Sequence, residues 1–365
     1  MKTAKHIYEK IITRENIKAA IDKASQDKKP RREVVEVLED VDKHVELIRE
    51  MLISKSYRPC EYKETIVKEG ARQKERKVTK IDFFPDQIIH WAVILQIQPL
   101  IERGAYTYSC GSMPGKGIHY AKPKIEKWIR EDKKNTKYVA KLDITKYYES
   151  ISHDLAKQSI RRIIKDPNLL WLLDMIIDSY PKGLPIGYLT SQWLANLILQ
   201  PLDWFIKQVL KIKYYVRYMD DKVLFSSNKK LLHLAVRKIM EFLRNMGLKI
   251  KKNWQVFRLS CRALDFMGFR FYRFKTTLRR SLMYRISRKA YWIWKRGFAR
   301  FKDAAAMLSY LGWIKHSDSR WFFESRFVKY VNIKELKNIV RRYSRKELGK
   351  YEIVLLRKRR YACSC

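Results

Sequence analysis

Acidic residues are scarce in this chain. Its 365 residues hold 79 Lys and Arg against 38 Asp and Glu, a formal net charge of +41. An ordinary small domain carries a net charge of magnitude about 2–8. Self-repulsion on the larger scale is hard to sustain without a polyanionic partner. Nucleic acid is the polyanion that fits, since phosphate contacts supply most non-specific affinity. A membrane surface is the weaker alternative. Cysteine is sparse too: Cys60, Cys110, Cys261, Cys363 and Cys365 are scattered. Only the last two are close, and their spacing lacks the paired partners of a zinc site. Reduced thiols in a cytoplasmic protein are the expectation. No apolar run approaches about 18 residues, so no transmembrane helix is expected. Residues 1–16 hold no apolar signal core. There are no internal repeats and no low-complexity linkers. Hydrophobic residues make up 46% of the chain, which excludes a disordered one.

Apolar periodicity sets the organisation. Residues 5–55 read as two helices joined by the basic linker Lys28-Lys29-Pro30-Arg31-Arg32. Residues 58–80 alternate and read as strands. Pro85 suits the first position of a helix from Asp86 to about Leu100. A Gly-rich loop over 111–117 precedes a helix to about Glu131. Lys137 to Leu142 reads as a strand ending at Asp143. Helices follow over 153–164, 168–180 and 191–210, the last with a kink expected at Pro201. Further on, a helix over 229–246 precedes short strands at 254–258 and 264–273, and helices at 282–300 and 302–315. Strands interspersed with helices predict an α+β fold.

Tyr218-Met219-Asp220-Asp221 lies between two short β-prone runs, Tyr214 to Arg217 and Lys222 to Phe225. This pattern predicts a β-hairpin whose turn carries two acids. Most adjacent acid pairs are solvated turns. Crowded carboxylates raise each other's pKa, however, and a divalent cation removes that cost. Two such ions held by carboxylates stabilise the attacking and leaving oxygens of phosphoryl transfer. Asp143, at a strand end, is either a turn cap or the third acid of that set. Gly111 to Gly117 lacks the Gly-Lys-Ser/Thr ending of a P-loop. It reads as a backbone approach to nucleic acid or as plain turns.

These motifs occur in the order used by reverse transcriptases, and the chain resembles that family over roughly residues 60–275. The segments that carry the resemblance are Asp143 with its aromatic pair Tyr147-Tyr148, the loop 183–192 (GLPIGYLTSQ), the YMDD hairpin, Gly247 to Ile250 and Leu264 to Phe269. Residues 186–196, 253–257 and 309–313 look most like prokaryotic enzymes of the diversity-generating retroelement type. Related phage-defence reverse transcriptases share parts of them.

The resemblance implies a right-hand polymerase fold. An N-terminal helical extension (1–57) would precede fingers and palm (58–275), then a helical thumb and basic tail (276–365). It implies RNA-directed DNA synthesis with two Mg²⁺ ions, Mn²⁺ being the alternative, and dNTP substrates. Asp143, Asp220 and Asp221 take the catalytic positions, and the Ile144 carbonyl adds a metal contact. Tyr148 takes the sugar-gate position, and Arg76, then Lys74, the triphosphate clamp. Lys249, Lys251 or Lys252 would reach the leaving pyrophosphate, with Lys249 taken first. Ile186 and Gly187 would lie against the templating base pair. Most of the family has Gln where Ile186 stands and Pro where Gln192 stands. An apolar Ile186 cannot make the hydrogen bonds of Gln, so relaxed fidelity is expected. Asp86-Gln87 departs from the family's common Asp-Arg pair. Expected partners are a structured template RNA, an RNA–DNA duplex, and either a small basic helical accessory oligomer or a non-coding RNA. A non-catalytic RNA-binding module on the same fold is the alternative from another class. Thumb aromatics (Tyr284, Tyr291, Trp292, Trp294, Phe298) are expected in the core, with the cations among them facing duplex. The Arg357-Lys358-Arg359-Arg360 tail reads as a basic arm for RNA. No RNase H segment is visible.

Overall fold

The computed structural model describes residues 5–29, 31–69 and 74–343, with the side chains of 68, 69 and 74 left out. Among the described residues two compact units emerge: 5–27, 33–67 and 75–262 form one, and 28–29, 31–32, 68–69, 74 and 263–343 the other. In the first, β1 (Lys63–Glu69) and β2 (Lys74–Lys80) make a two-stranded ribbon. The central antiparallel sheet contains β3 (Tyr138–Asp143), β4 (Tyr214–Tyr218), β5 (Asp221–Ser226) and β6 (Gln255–Arg258), in the order β4-β5-β3-β6.

One face of this sheet is covered by the helix Lys229–Asn245. Leu232, Val236, Ile239 and Leu243 recur at helical spacing and are fully buried. Each such side chain contributes about 1.5–3 kcal/mol by leaving water. Asn228 caps the helix, accepting from the amides of Lys230 (2.8 Å) and Leu231 (3.3 Å). The helix Leu189–Trp204 is buried almost all round and packs against Ile88–Arg103 and His153–Arg161. It runs through Pro201 and passes into a wide π-type turn, Phe205–Val209.

The segment expected as two helices is four: Tyr8–Ile11, Arg14–Ser25, Arg32–Glu39 and Val41–Ile53. The third and fourth separate because Asp40 leaves helical geometry and caps the next helix through Lys43 N (3.1 Å). These helices share the apolar core of the sheet region. Asp166 ties them down. Its Oδ2 accepts from the amides of Ile7 and Tyr8 (both 2.7 Å), while Oδ1 caps Pro167–Asp178. Phe84 is extended (φ −108°, ψ 132°), so the helical run opens at Pro85, as expected, and continues into Ile88–Arg103.

The second unit holds a three-stranded antiparallel sheet, β7 (Leu264–Phe266), β8 (Phe269–Phe271) and β9 (Thr276–Leu278). β9 lies at the start of the stretch expected as a helical thumb and tail (276–365), ahead of its first expected helix. It exists because Thr276 and Asp318 exchange hydrogen bonds of 2.7 Å, pinning its first residue. Gly268 lets the β7–β8 turn meet the Trp313 ring, since a Cβ there would sit 2.5 Å from it, at φ +81°. Helices Arg280–Arg296 and Phe301–Lys315 follow, broken at Gly297 (φ +79°). The core of the first is Ile286, Ala290 and Ile293. The aromatics expected there are outside: Tyr284, Tyr291, Trp292, Trp294 and Phe298 are 41–66% exposed. The basic tail at 357–360 and the Cys363/Cys365 pair lie outside the described residues. Among the described residues, no helix is long and apolar enough to cross a membrane.

Candidate active site

Strand register brings the acids together. β3 and β5 pair antiparallel, and the last residue of one, Asp143, stands directly opposite the first of the other, Asp221. β4 and β5 close on Tyr218 and Asp221, so Met219 and Asp220 form the turn. Met219 is left-handed (φ +53°), which a non-glycine residue adopts only when its surroundings hold it there.

Those surroundings are a buried polar network. Arg217 (1% exposed) and Asp203 (0%) form an ion pair with Nε–Oδ1 at 2.8 Å and Nη2–Oδ2 at 2.7 Å. The free guanidinium edge donates to Asn196 Oδ1 and to the Met219 carbonyl, both at 3.1 Å. Tyr215 donates to Asp203 Oδ1 at 2.7 Å. Asn196 donates to the Gly111 carbonyl at 2.9 Å. A Cβ on Gly111 would lie 2.5 Å from Met219 Cγ and 2.6 Å from its amide nitrogen. Gly111 therefore serves as the floor beneath the turn. Sequence reasoning passed over Arg217 and Asp203. A signal was present: each is the lone charge of an apolar element, β4 and the helix Leu189–Trp204, and such charges need buried partners.

The acids repel. Burial and the neighbouring Asp143 carboxylate push the Asp220 carboxyl up to about 6. Burial and Asp143 also raise Asp221. Lys222 is fully buried and donates to the Asp220 carbonyl at 3.0 Å; burial, then Arg217, hold its amine down to about 8. Asp143 Oδ1 is buried without a hydrogen-bond partner, and Lys251 bonds Oδ2. The donors suit Mg²⁺: all are oxygens, and positive charge relieves their repulsion. Among the described residues no three His, Cys, Asp or Glu side chains converge as a ready-made metal cage. Here the Lys251 ammonium supplies the positive charge beside Asp143.

The other expected residues fall as follows. Ile144 is fully buried and bridges to Ile250. That bridge sets Lys251 beside Asp143 (Lys251 N to Asp143 O, 2.8 Å) and Lys249 beside Thr145. The structure thus brings Lys251, not the exposed Lys249, to the acids. Tyr147 is buried with its hydroxyl on the Ala195 carbonyl (2.7 Å). Tyr148 is half-buried, and its hydroxyl is pushed up by burial, then by Asp220. The Arg76 charge acts on Tyr148 in the opposite sense, which places Arg76 in its neighbourhood. Lys74 opens β2, and its side chain lies outside the described residues.

The loop 183–188 is clamped from both sides. Leu184 N donates to the Tyr148 carbonyl (2.8 Å), and Thr79 N to the Ile186 carbonyl (2.7 Å). Gly187 stands at φ +128°, and a Cβ there would lie 2.0 Å from the Thr79 carbonyl oxygen. In the structure its close approach is to β2. Ile186 is half-buried, and Gln192 is exposed on the helix Leu189–Trp204. Asp86 is an anchor of the fold. It accepts from the Tyr57 hydroxyl (2.7 Å) and the Cys60 amide (3.1 Å).

Comparison with known proteins adds the following. The family model described as reverse transcriptase (RNA-dependent DNA polymerase) matches residues 66–271. Protein YkfC of Escherichia coli (strain K12) is 21% identical over 175 residues, 45% of each chain. The Retron Ec73 reverse transcriptase of Escherichia coli is 25% identical over 228 residues, 58% of this chain and 72% of that one. Among solved structures, apo telomerase from Candida Tropicalis truncated from its C-terminal domain gives a TM-score of 0.44 at 14% identity, covering 60% of this chain and 54% of its own. Telomerase from Candida albicans in complex with a TWJ fragment of telomeric RNA gives 0.47 at 11%, covering 80% and 59%. The chain thus spans about half the length of YkfC and of these structures.

Proposed function

This chain belongs to the reverse transcriptase (RNA-dependent DNA polymerase) family, and we propose that it copies a structured template RNA into DNA with two Mg²⁺ ions. One observation carries the reading: Asp143 faces Asp221 across the sheet, with buried Asp220 beside them. Asp143, Asp220 and Asp221, with the Ile144 carbonyl, would hold the ions. When bound, the ions lower the pKa of a primer hydroxyl and balance charge on the leaving pyrophosphate. The chain's part is positioning. Arg217 fixes the turn, so that Asp220 is held still and no reorganisation is needed during reaction. Tyr148 would abut C2′ of the incoming dNTP and exclude a 2′-hydroxyl. Arg76, aided by Lys74, would clamp the triphosphate. Lys251 is better placed than Lys249 to donate a proton near the acids.

The reading is tested by primer extension on an RNA template. Asp220→Asn should lower the rate by at least about 10³-fold, near 4 kcal/mol of barrier. Loss of less than about tenfold would leave the non-catalytic, RNA-binding alternative.

Ile186 supports a finer proposal, low fidelity in a diversity-generating retroelement working with a small basic helical accessory oligomer. Its apolar side chain offers no hydrogen bond to a base pair. Ile186→Gln should then lower misincorporation opposite template adenine; an unchanged error spectrum counts against it. The similarity to a retron reverse transcriptase supports a second setting, in which the template is the enzyme's own non-coding RNA, as also expected for a phage-defence enzyme. Sequencing the RNA and cDNA that co-purify separates these settings.

A further inference from the structure

The helix Arg280–Arg296 carries six cations (Arg280, Arg285, Arg288, Lys289, Lys295, Arg296) and no acid. Its buried stripe is Ile286, Ala290 and Ile293. On the opposite side Tyr284, Arg288, Tyr291 and Lys295 recur at i, i+4, i+7 and i+11, so rings and cations alternate along one line. Tyr284 is 66% and Tyr291 41% exposed, and Trp292 beside them is 51% exposed. Lys295 lies 5.2 Å from the centre of the Trp292 ring. Rings this exposed are not core, and contiguous ones mark a binding surface.

A second feature adjoins them. A cavity of about 250 Å³ is framed by Arg285, Arg288, Lys289 and Arg296, the Trp292 ring and a single acid, Asp303. Lys289 (3.0 Å) and Arg296 (2.5 Å) already engage that acid. Four cations against one acid leave the cavity with surplus positive charge, which one phosphate would meet.

We propose that this helix is a platform for an unpaired stretch of RNA, with one backbone phosphate in the Arg285 cavity and bases stacked on Trp292 and Tyr291. Charge complementarity selects a polyanion, and the rings select its form. In a duplex the base faces are stacked on one another, and exposed rings have nothing to stack on. Unpaired bases offer those faces. The choice of RNA over DNA rests on the proposed RNA-copying activity.

The test uses the full chain, with fluorescence anisotropy on labelled oligo(U), oligo(dT) and a blunt RNA duplex. Trp292→Ala and Tyr291→Ala should each weaken oligo(U) binding about 5- to 150-fold, the range of one base stack, and shift duplex binding less than about twofold. Trp292→Phe should restore most of the loss, which a merely disrupted helix would not. Arg288→Ala should lower the salt slope for oligo(U) by about 0.7, one phosphate of a single strand. Equal losses on oligo(U) and duplex would overturn the proposal, as would none on oligo(U), the result expected of a protein-docking face. Oligo(dT) bound as tightly as oligo(U) would overturn RNA as the occupant. Wild-type primer extension, run separately, tests the polymerase reading: if extension fails while the ring effects hold, the platform stands without it.

Discussion

Asp203→Asn is the substitution that should most sharply expose how the acid-bearing turn is held. It keeps the shape of the side chain and removes its charge. Arg217 would remain a cation at 1% exposure, keeping its bonds to Asn196 and to the Met219 carbonyl and losing its counter-ion. Stripping one partner from a buried pair costs roughly 3–5 kcal/mol. Asn still offers one oxygen to the guanidinium, so the lower end applies, about 3 kcal/mol. At about 2–4 °C per kcal/mol, the melting temperature should fall by roughly 6–12 °C, read by circular dichroism. Removing the charges together should behave differently. Asp203→Leu with Arg217→Met, and Tyr215→Phe so that no hydroxyl is stranded, should recover most of the stability. DNA synthesis should stay low, because the Met219 carbonyl has lost its donor and the left-handed turn its clamp. A single variant melting within about 1 °C of wild type, or a triple variant no more stable than the single one, would refute the reasoning.

Other outcomes follow from the same geometry. The Asp220 carboxyl stands at about 6 against an ordinary 3.8, so between those values the folded chain holds a proton that the unfolded chain releases. Stability of the chelator-treated protein should therefore fall as pH rises through that window and level off above it. Asp220→Asn should flatten that part of a melting-temperature profile. Tyr148→Ala should raise ribonucleotide incorporation by about tenfold or more in competition with dNTPs, and unchanged discrimination would remove the sugar-gate assignment. Gly187→Ala, whose Cβ would meet the Thr79 carbonyl oxygen at 2.0 Å, should cost about 1–3 kcal/mol in a denaturant titration and slow synthesis by displacing Ile186.

The acids were legible because strands speak locally. Apolar alternation marks β3, β4 and β5, and a strand end or a tight turn can be read from a few neighbours. What holds the acids was not, because each contact joins distant parts of the chain. Arg217 meets Asp203 fourteen residues earlier, and Gly111 meets Met219 from another loop altogether. A lone charge in an apolar run announces that it needs a partner, not which one. The choice among Lys249, Lys251 and Lys252 stayed open in the sequence for a related reason. Local sequence makes them equivalent, and only the Ile144–Ile250 bridge sets which one lies beside Asp143. A slip of that pairing by one residue would change the answer.

The helix Arg280–Arg296 is a different case, since its error was avoidable from sequence. Aromatic residues bury a large apolar area, and that bias assigned Tyr284, Tyr291 and Trp292 to the core. Ile286, Ala290 and Ile293 already supply a complete stripe at i, i+4 and i+7. Tyr284 and Tyr291 each precede a member of that stripe by two residues. At about 100° per residue, two residues turn a side chain about 200° away, to the far side of the helix. The same rotation puts Arg288 and Lys295 on that far side with the rings. Rings buried with those cations would carry unpaired charge into the core, at a cost that no Asp or Glu of this helix could offset.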